Sequence, residues 1–113
     1  MRYLSEGPAE PGGEAVYAVE DGVPEAALRS PSDDRVGVEA LDPRTDLVNH
    51  SPSGFSWGYA GSGPAQLALA VLAHEYDEQF ALDHYQDFKV MYVAEHPAED
   101  RFVVTSALIE EIL

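Results

Sequence analysis

The residue types that could support chemistry are concentrated in one stretch, NHSPSGFSWGYAGSGPAQ, residues 49 to 66. It combines a histidine, hydroxyl groups, an amide and glycines that allow close approach to the backbone. If a helix begins near Gly63, its free N–H groups and Ser62 could bind a small anion or a carboxylate. The candidate ligand-binding residues are Asn49, His50, Ser51, Trp57, Tyr59, Gly61, Ser62, Gly63 and Gln66. Alternatively, Asn49 and Ser51 simply close turns ahead of the glycine run.

The glycines of this stretch match no complete phosphate-binding or catalytic loop. Gly58 and Gly63 have the spacing of a phosphate-binding loop, but Pro64 stands where that loop needs a lysine. Ser62 lacks the flanking glycines of a hydrolase elbow, and Gln66 replaces the third glycine of a dinucleotide-binding fingerprint. We therefore predict no cofactor and favour a non-enzymatic protein. The competing interpretation of the glycine run is a tight turn that folds an aromatic strand onto the next helix.

A second group of polar residues resembles half of a metal site. His74, Asp77 and Glu78 would share one face of a continuous helix, at the spacing of metal ligands. The HEYDE sequence does not contain the HExxH zinc motif, and the chain has no cysteine for thiolate sites or disulfides. We therefore predict no metal site and interpret these residues as solvated groups where two helices join.

Charge is the strongest global signal in the composition. The chain carries 21 acidic and 6 basic residues, a formal net charge of −15, and its single lysine is Lys89. Such a surface repels itself in dilute buffer, whereas at about 1 M salt the Debye length falls to roughly 3 Å and the repulsion is screened. The composition is therefore typical of halophilic proteins from salt-accumulating haloarchaea.

The same charge limits the classes of partner. Scattered arginines make no basic patch, so we expect no direct nucleic-acid binding. A DNA-mimic inhibitor is disfavoured because acidic pairs such as Asp33–Asp34 and Glu110–Glu111 are dispersed along the chain. The sequence has no apolar run of about 18 residues and no signal-peptide pattern, so we expect no membrane association and a cytoplasmic location.

The elements that must position these residues fall into two halves. The 113 residues are predicted to form a single globular domain, residues 1–113, with a loop-rich stretch at 1–13 that includes an edge strand at 2–4. Its first half reads as a small antiparallel sheet, and its second half changes to helical periodicity.

The predicted sheet contains strands at residues 14–19 and 35–41. Asp21-Gly22 is a favoured turn pair, so a hairpin is plausible there. Residues 25–30 are predicted as either a short edge strand or one helical turn, and residues 30–34 as a loop.

In the second half, FSWGY, residues 55–59, places its aromatic side chains on one side of an extended strand. PAQLALAVLA, residues 64–73, is predicted as a helix buried nearly all round, with proline at its first position after a serine or glycine cap. Residues 77–93 are predicted as an amphipathic helix, 101–104 as a strand and 105–113 as a capped terminal helix.

Together these elements predict an α+β fold. The small antiparallel sheet comes from the N-terminal half and the FSWGY strand. A buried central helix, an amphipathic helix and a short C-terminal helix pack against it.

The block NHSPSGFSWGYAGSGPAQLALAVL, with the downstream YQDFK, resembles the defining segment of an uncharacterised family of small prokaryotic proteins. Members of that family occur in haloarchaea and in phage and plasmid settings. The likeness is specific over residues 49–72 and looser over 77–113. Family members typically carry an acidic residue where this chain has Ser56. The resemblance implies a prokaryotic accessory protein and names no reaction.

Two main function classes follow. The leading hypothesis is a non-enzymatic accessory or interaction protein, either a homo-oligomer or bound to a protein partner through its terminal apolar helix or its aromatic strand. The alternative is a small-ligand or anion-binding protein, which could be an enzyme, with its site at the Asn49–Ser51 turn and the Gly61–Pro64 helix start. A DNA mimic is a distant third.

Overall fold

The structure, a computed structural model, describes residues 1–29, 37–51 and 54–113. The loop predicted at 30–34 and the first two residues of the strand predicted at 35–41 lie outside the described residues.

Four short strands form one antiparallel sheet in the order β3-β2-β1-β4. The strands are β1 Arg2–Leu4, β2 Tyr17–Val19, β3 Val38–Ala40 and β4 Val103–Thr105. Tyr3 lies opposite both Ala18 and Val104, so β1 is an interior strand and not the predicted edge strand. Local sequence patterns could not predict this interior position, because β4, the second partner of β1, comes from the far end of the chain.

The described residues form three α-helices, α1 Ser62–Glu75, α2 Glu78–Phe88 and α3 Ser106–Ile112. A π-helical turn, Lys89–Val93, extends α2, and a 3₁₀ helix, Glu25–Arg29, lies between β2 and β3. The α+β fold is therefore confirmed. Among the described residues, no helix combines the length and apolar content needed to cross a membrane.

The sheet is covered on both faces. Tyr3, Ala18 and Val104 belong to the main core, which also contains half of the α1 residues. On the opposite face, Leu4 and Val19 pack with Leu28 of the 3₁₀ helix. Of the two predictions for residues 25–30, the helical turn is confirmed over Glu25–Arg29, the described part of that range. The hairpin expected at Asp21-Gly22 was wrong, because the 3₁₀ helix lies between β2 and its partner β3.

The central helix is buried nearly all round, as predicted, because every residue from Gly63 to Leu72 is buried. Its start differs from the prediction. The N-cap is Gly61, which has no side chain, and Pro64 is the third helical residue. Proline is tolerated there because the first N–H groups of a helix need no intrahelical acceptor.

The other two helices follow their predicted patterns. Ala81, Tyr85 and Phe88 form the buried stripe of α2, whose N-cap Asp77 accepts a hydrogen bond from the Phe80 N–H at 2.8 Å. Thr105 caps α3 by accepting from the Leu108 N–H at 3.2 Å.

The FSWGY segment is a correction to the predicted fold. Among the described residues it contributes no strand to the sheet, and only Phe55 pairs, in an isolated bridge with Glu14. Gly58 has φ 87°, which ends the alternation of an extended strand. Trp57 consequently stays fully buried, whereas Tyr59 turns outward and is 52% exposed.

Candidate functional site

Gln66 is the fully buried polar residue of α1, and it fastens the segment before the glycine run to that helix. Its Oε1 accepts hydrogen bonds from the backbone N–H of His50 at 2.7 Å and of Ser51 at 3.0 Å. Its Nε2 donates to the carbonyl oxygens of Val48, at 3.0 Å, and Pro43. A glutamine amide makes about four hydrogen bonds, so this side chain is saturated by the backbone.

The neighbouring predicted site residues also have internal partners. His50 Nε2 lies 2.9 Å from the hydroxyl of Tyr85, and Ser51 Oγ donates to the carbonyl of Gly54 at 3.0 Å. Trp57 donates its ring N–H to the carbonyl of Asp100 at 2.9 Å. Asn49 is exposed. These hydrogen bonds hold the segment around His50, Ser51 and Trp57 to the rest of the chain.

An open groove of about 380 Å³ nevertheless lies beside this segment. We call it the glycine groove; its lining residues are Ala9, Glu10, Pro11, Gly12, Gly13, Ser51, Gly54, Phe55, Ser56, Trp57, Tyr59, Gly63 and Ala98. It brings together four of the predicted site residues, Ser51, Trp57, Tyr59 and Gly63, and omits the other five. The 9–13 wall was missed by the sequence analysis, because nothing local connects that loop with the glycine run.

The glycines at the helix start make room for neighbouring side chains. A Cβ on Gly61 would lie 2.4 Å from a ring carbon of Tyr59, and one on Gly63 would lie 2.7 Å from Ser56 Cβ. Exposed Ser62 lies between these two glycines. The geometry accounts for both glycines by packing, without a bound anion.

A polar network that the sequence analysis missed joins both ends of the chain to α1. His74 lies with Nε2 2.5 Å from a carboxylate oxygen of Glu39 and Nδ1 2.9 Å from the hydroxyl of Tyr3. Tyr3 and Ser106 both donate to Glu75, at 3.0 and 2.7 Å. Burial first, and then the Glu75 carboxylate, raise the pKa of the Tyr3 hydroxyl, which keeps it a proton donor. Since both His74 nitrogens have partners within the chain, we interpret the network as a structural link between α1 and the strands β1 and β3.

The metal-site prediction concerns the end of α1. There the helix ends at Glu75, so His74 does not share a continuous helix with Asp77 and Glu78. Glu78 instead accepts from Arg44 Nη2 at 2.6 Å. Among the residues that the structure describes, no cluster of three or more potential ligands could hold a metal ion.

A second open groove, of about 420 Å³, runs between α2 and α3. We call it the helix groove; its lining residues are Tyr76, Phe80, His84, Asp87, Met91, Glu110, Ile112 and Leu113. The rings of Tyr76 and Phe80 contact each other at a tilt of 36°, with centroids 4.2 Å apart, and those of Phe80 and His84 at 40° and 4.3 Å. Met91, in the π-helical turn that extends α2, also lines the groove and is 54% exposed. The groove is therefore an aromatic and aliphatic surface that is open to solvent.

The charges at the helix groove are negative. Asp87 and Glu110 belong to its lining. Burial, then the nearby carboxylates of Glu75 and Glu110, raise the pKa of the Tyr76 hydroxyl. Of the described residues that line the groove, none is lysine or arginine. The groove thus combines apolar contact area with an acidic edge.

A family model described as a family of unknown function, DUF6166, matches residues 26–113. Neither a curated protein nor a solved structure matches the chain.

Proposed function

We propose that this chain, which belongs to the DUF6166 family of unknown function, is an accessory protein that binds another protein through the helix groove. The observation that carries the proposal is the apolar lining of that groove on a chain with net charge −15. Aromatic residues and methionine are enriched in the cores of protein interfaces. A groove of this composition suits a protein partner.

Three of the six large apolar side chains that are exposed among the described residues line this groove. Tyr76, Met91 and Leu113 line it, with exposures of 40%, 54% and 41%, and Val90 beside Met91 is 61% exposed. Covering the exposed half of such a side chain stabilises a complex by about 0.7 to 1.5 kcal/mol before the costs of association. Contact with a partner is thus the outcome that these residues favour.

The proposal includes the environment of the protein, a cytoplasm of high salt as in salt-accumulating haloarchaea. The excess of 21 acidic over 6 basic residues supports this part of the proposal. At about 1 M salt, charges farther apart than roughly 3 Å are screened, so an acidic protein can approach its partner without long-range repulsion.

Capture experiments with matched variants test the proposed function. Wild-type, Met91→Asp and Leu82→Asp chains are immobilised in molar KCl and exposed to a haloarchaeal lysate. Leu82 is a suitable control because it is 39% exposed on the same helix but does not line the helix groove. We expect a protein that is retained by wild type and Leu82→Asp and lost with Met91→Asp. Equal retention by all three chains, or retention by none, would contradict the proposal.

Small-ligand binding in the glycine groove is the second candidate function. Its support is the cavity of about 380 Å³ lined by four of the predicted site residues. Glu10 is the charged side chain among the described residues that line it, which favours a neutral or cationic ligand over an anion. Trp57 is the single tryptophan and lies in the lining, so its fluorescence reports on occupancy. A ligand that changes this emission in wild type but not in Tyr59→Ala would support the candidate.

A further inference from the structure

We infer that the helix groove binds an amphipathic helix of the partner protein whose apolar side is flanked by arginine or lysine. This inference rests on the proposed function and specifies the chemistry of the bound segment.

The backbone around the groove favours a helical ligand over an extended one. The lining residues come from the end of α1, from α2 and its π-helical extension, and from α3. An added strand needs unpaired N–H and C=O groups along a sheet edge, and backbone groups within helices are already paired. Recognition in this groove must therefore use side chains. An amphipathic helix presents side chains at positions i, i+3, i+4 and i+7 on one face.

The length of α2, which runs along the groove, suits a bound helix of about three turns. The α2 helix has 11 residues, which corresponds to about 16 Å of helix axis. The rings of Tyr76, Phe80 and His84, followed by Met91 of the π-helical turn, form one wall, and Ile112 and Leu113 of α3 supply apolar surface on the other. Two or three large apolar side chains of the partner can pack between these walls.

The negative charges of the groove determine which residues should flank the apolar face of the bound helix. Covering Asp87 and Glu110 with apolar groups would remove their carboxylates from water without a partner, which is costly. Arginine or lysine beside the apolar face would pair with them, and arginine would also stack on the aromatic wall. A second copy of this chain would bring the same two carboxylates to the same place. Charge complementarity therefore favours a basic partner over a homodimer.

Three synthetic peptides of about 18 residues test this inference. The first has a leucine face with arginine flanks, the second has the same face with glutamate flanks, and the third has the first composition in scrambled order. Binding is measured by fluorescence anisotropy in about 2 M KCl, where long-range attraction to an acidic protein is screened. We expect the basic amphipathic peptide to bind at least about tenfold more tightly than either of the others.

Variants connect that binding to the groove. Met91→Asp should weaken the basic peptide by about tenfold or more, whereas Leu82→Asp should leave its affinity within about twofold. Asp87→Asn combined with Glu110→Gln should reduce the preference for arginine over glutamate flanks. Circular dichroism of each variant shows whether it is folded, and all four substituted positions lie on the surface or at the groove.

The contrary outcomes are distinct. Equal binding of the basic and glutamate peptides, equal binding of the scrambled peptide, or no effect of Met91→Asp would overturn the inference. A dimer in light scattering that Met91→Asp dissociates would also overturn it, in favour of a second copy. If the peptides fail while lysate capture still depends on Met91, the proposed function stands and only the helical basic ligand is wrong. If capture is also independent of Met91, both fail.

Discussion

The glycine groove and the helix groove are both open, with volumes of about 380 and 420 Å³, and they differ in how their side chains are used. Around the first, polar groups that looked reactive in the sequence bond to the chain itself: Gln66 to backbone, Ser51 to Gly54 and Trp57 to Asp100. Around the second, apolar groups such as Met91 remain exposed to water.

The comparison shows that residue type alone does not identify a site. A buried polar side chain is normally hydrogen-bonded, and once its bonds are made within the chain it has little left for a ligand. Exposed apolar surface has the opposite property, because the free energy falls when another molecule covers that surface. The helix groove is thus the better candidate, although the glycine stretch has the richer chemistry.

The largest expected effect is unfolding of the chain at low salt, which would abolish both grooves. Dilution from molar salt to about 0.1 M lengthens the Debye length from roughly 3 to roughly 10 Å, so the repulsion within a chain of net charge −15 returns. We expect loss of the helical circular-dichroism signal, recovered on adding KCl. A full signal at low salt would contradict the proposal that the protein is halophilic.

The next effect concerns the fastening beside the glycine groove. Gln66→Leu leaves the backbone groups of His50, Ser51, Val48 and Pro43 without their partner, at about 1 to 3 kcal/mol for each unsatisfied group. We expect at least about 3 kcal/mol lower free energy of unfolding in denaturant titrations at molar KCl.

Gln86→Leu is the matched control for that experiment, because Gln86 is exposed on α2. It should change the free energy of unfolding by less than about 0.5 kcal/mol. If the two substitutions cost the same, Gln66 does not fasten the segment and is available to a ligand.

A smaller effect tests why the aromatic segment fails to continue as a strand. Gly58 and Gly12 have φ of 87° and 90°, but a Cβ on Gly58 would lie 2.6 Å from Ala98 Cβ, whereas nothing lies within 4 Å of one on Gly12. Gly58→Ala should therefore destabilise the fold by about 1 to 3 kcal/mol more than Gly12→Ala. Equal losses of free energy would mean that the turn is needed only for its backbone conformation.

The smallest effect concerns the helix start. Gly61→Ala should cost about 0.5 to 1.5 kcal/mol, because the added Cβ meets the Tyr59 ring, and the cost should vanish in a Tyr59→Ala background. Thermal unfolding of the four chains of this cycle measures the coupling. A cost that persists without Tyr59 would mean that Gly61 is needed for something other than room for that ring.

The sequence predicted the helices well, because their signals are local. The apolar run of α1 and the stripe of Ala81, Tyr85 and Phe88 both follow from spacing alone. The helix start was misplaced by two residues, since Pro64 is also compatible with the third position. The FSWGY strand prediction failed at Gly58, whose positive φ and close approach to Ala98, forty residues later, leave no local signal in the sequence.

The candidate sites were less predictable, because their partners are distant in the chain. Gln66 stood out as the polar residue of a buried helix, but its acceptors and donors lie 15 to 23 residues earlier. The network of Tyr3, His74 and Ser106 joins residues up to 105 positions apart through Met1. For the helix groove, the sequence indicated only the apolar terminal helix. Its pairing with α2 across the groove has no local signal.

The most direct test of the central claim is binding of the arginine-flanked peptide to wild-type, Met91→Asp and Leu82→Asp chains in about 2 M KCl. The account predicts that Met91→Asp weakens binding by about tenfold or more while Leu82→Asp matches wild type. Equal affinity for all three folded chains would contradict it, because the helix groove would then have no part in recognising a partner.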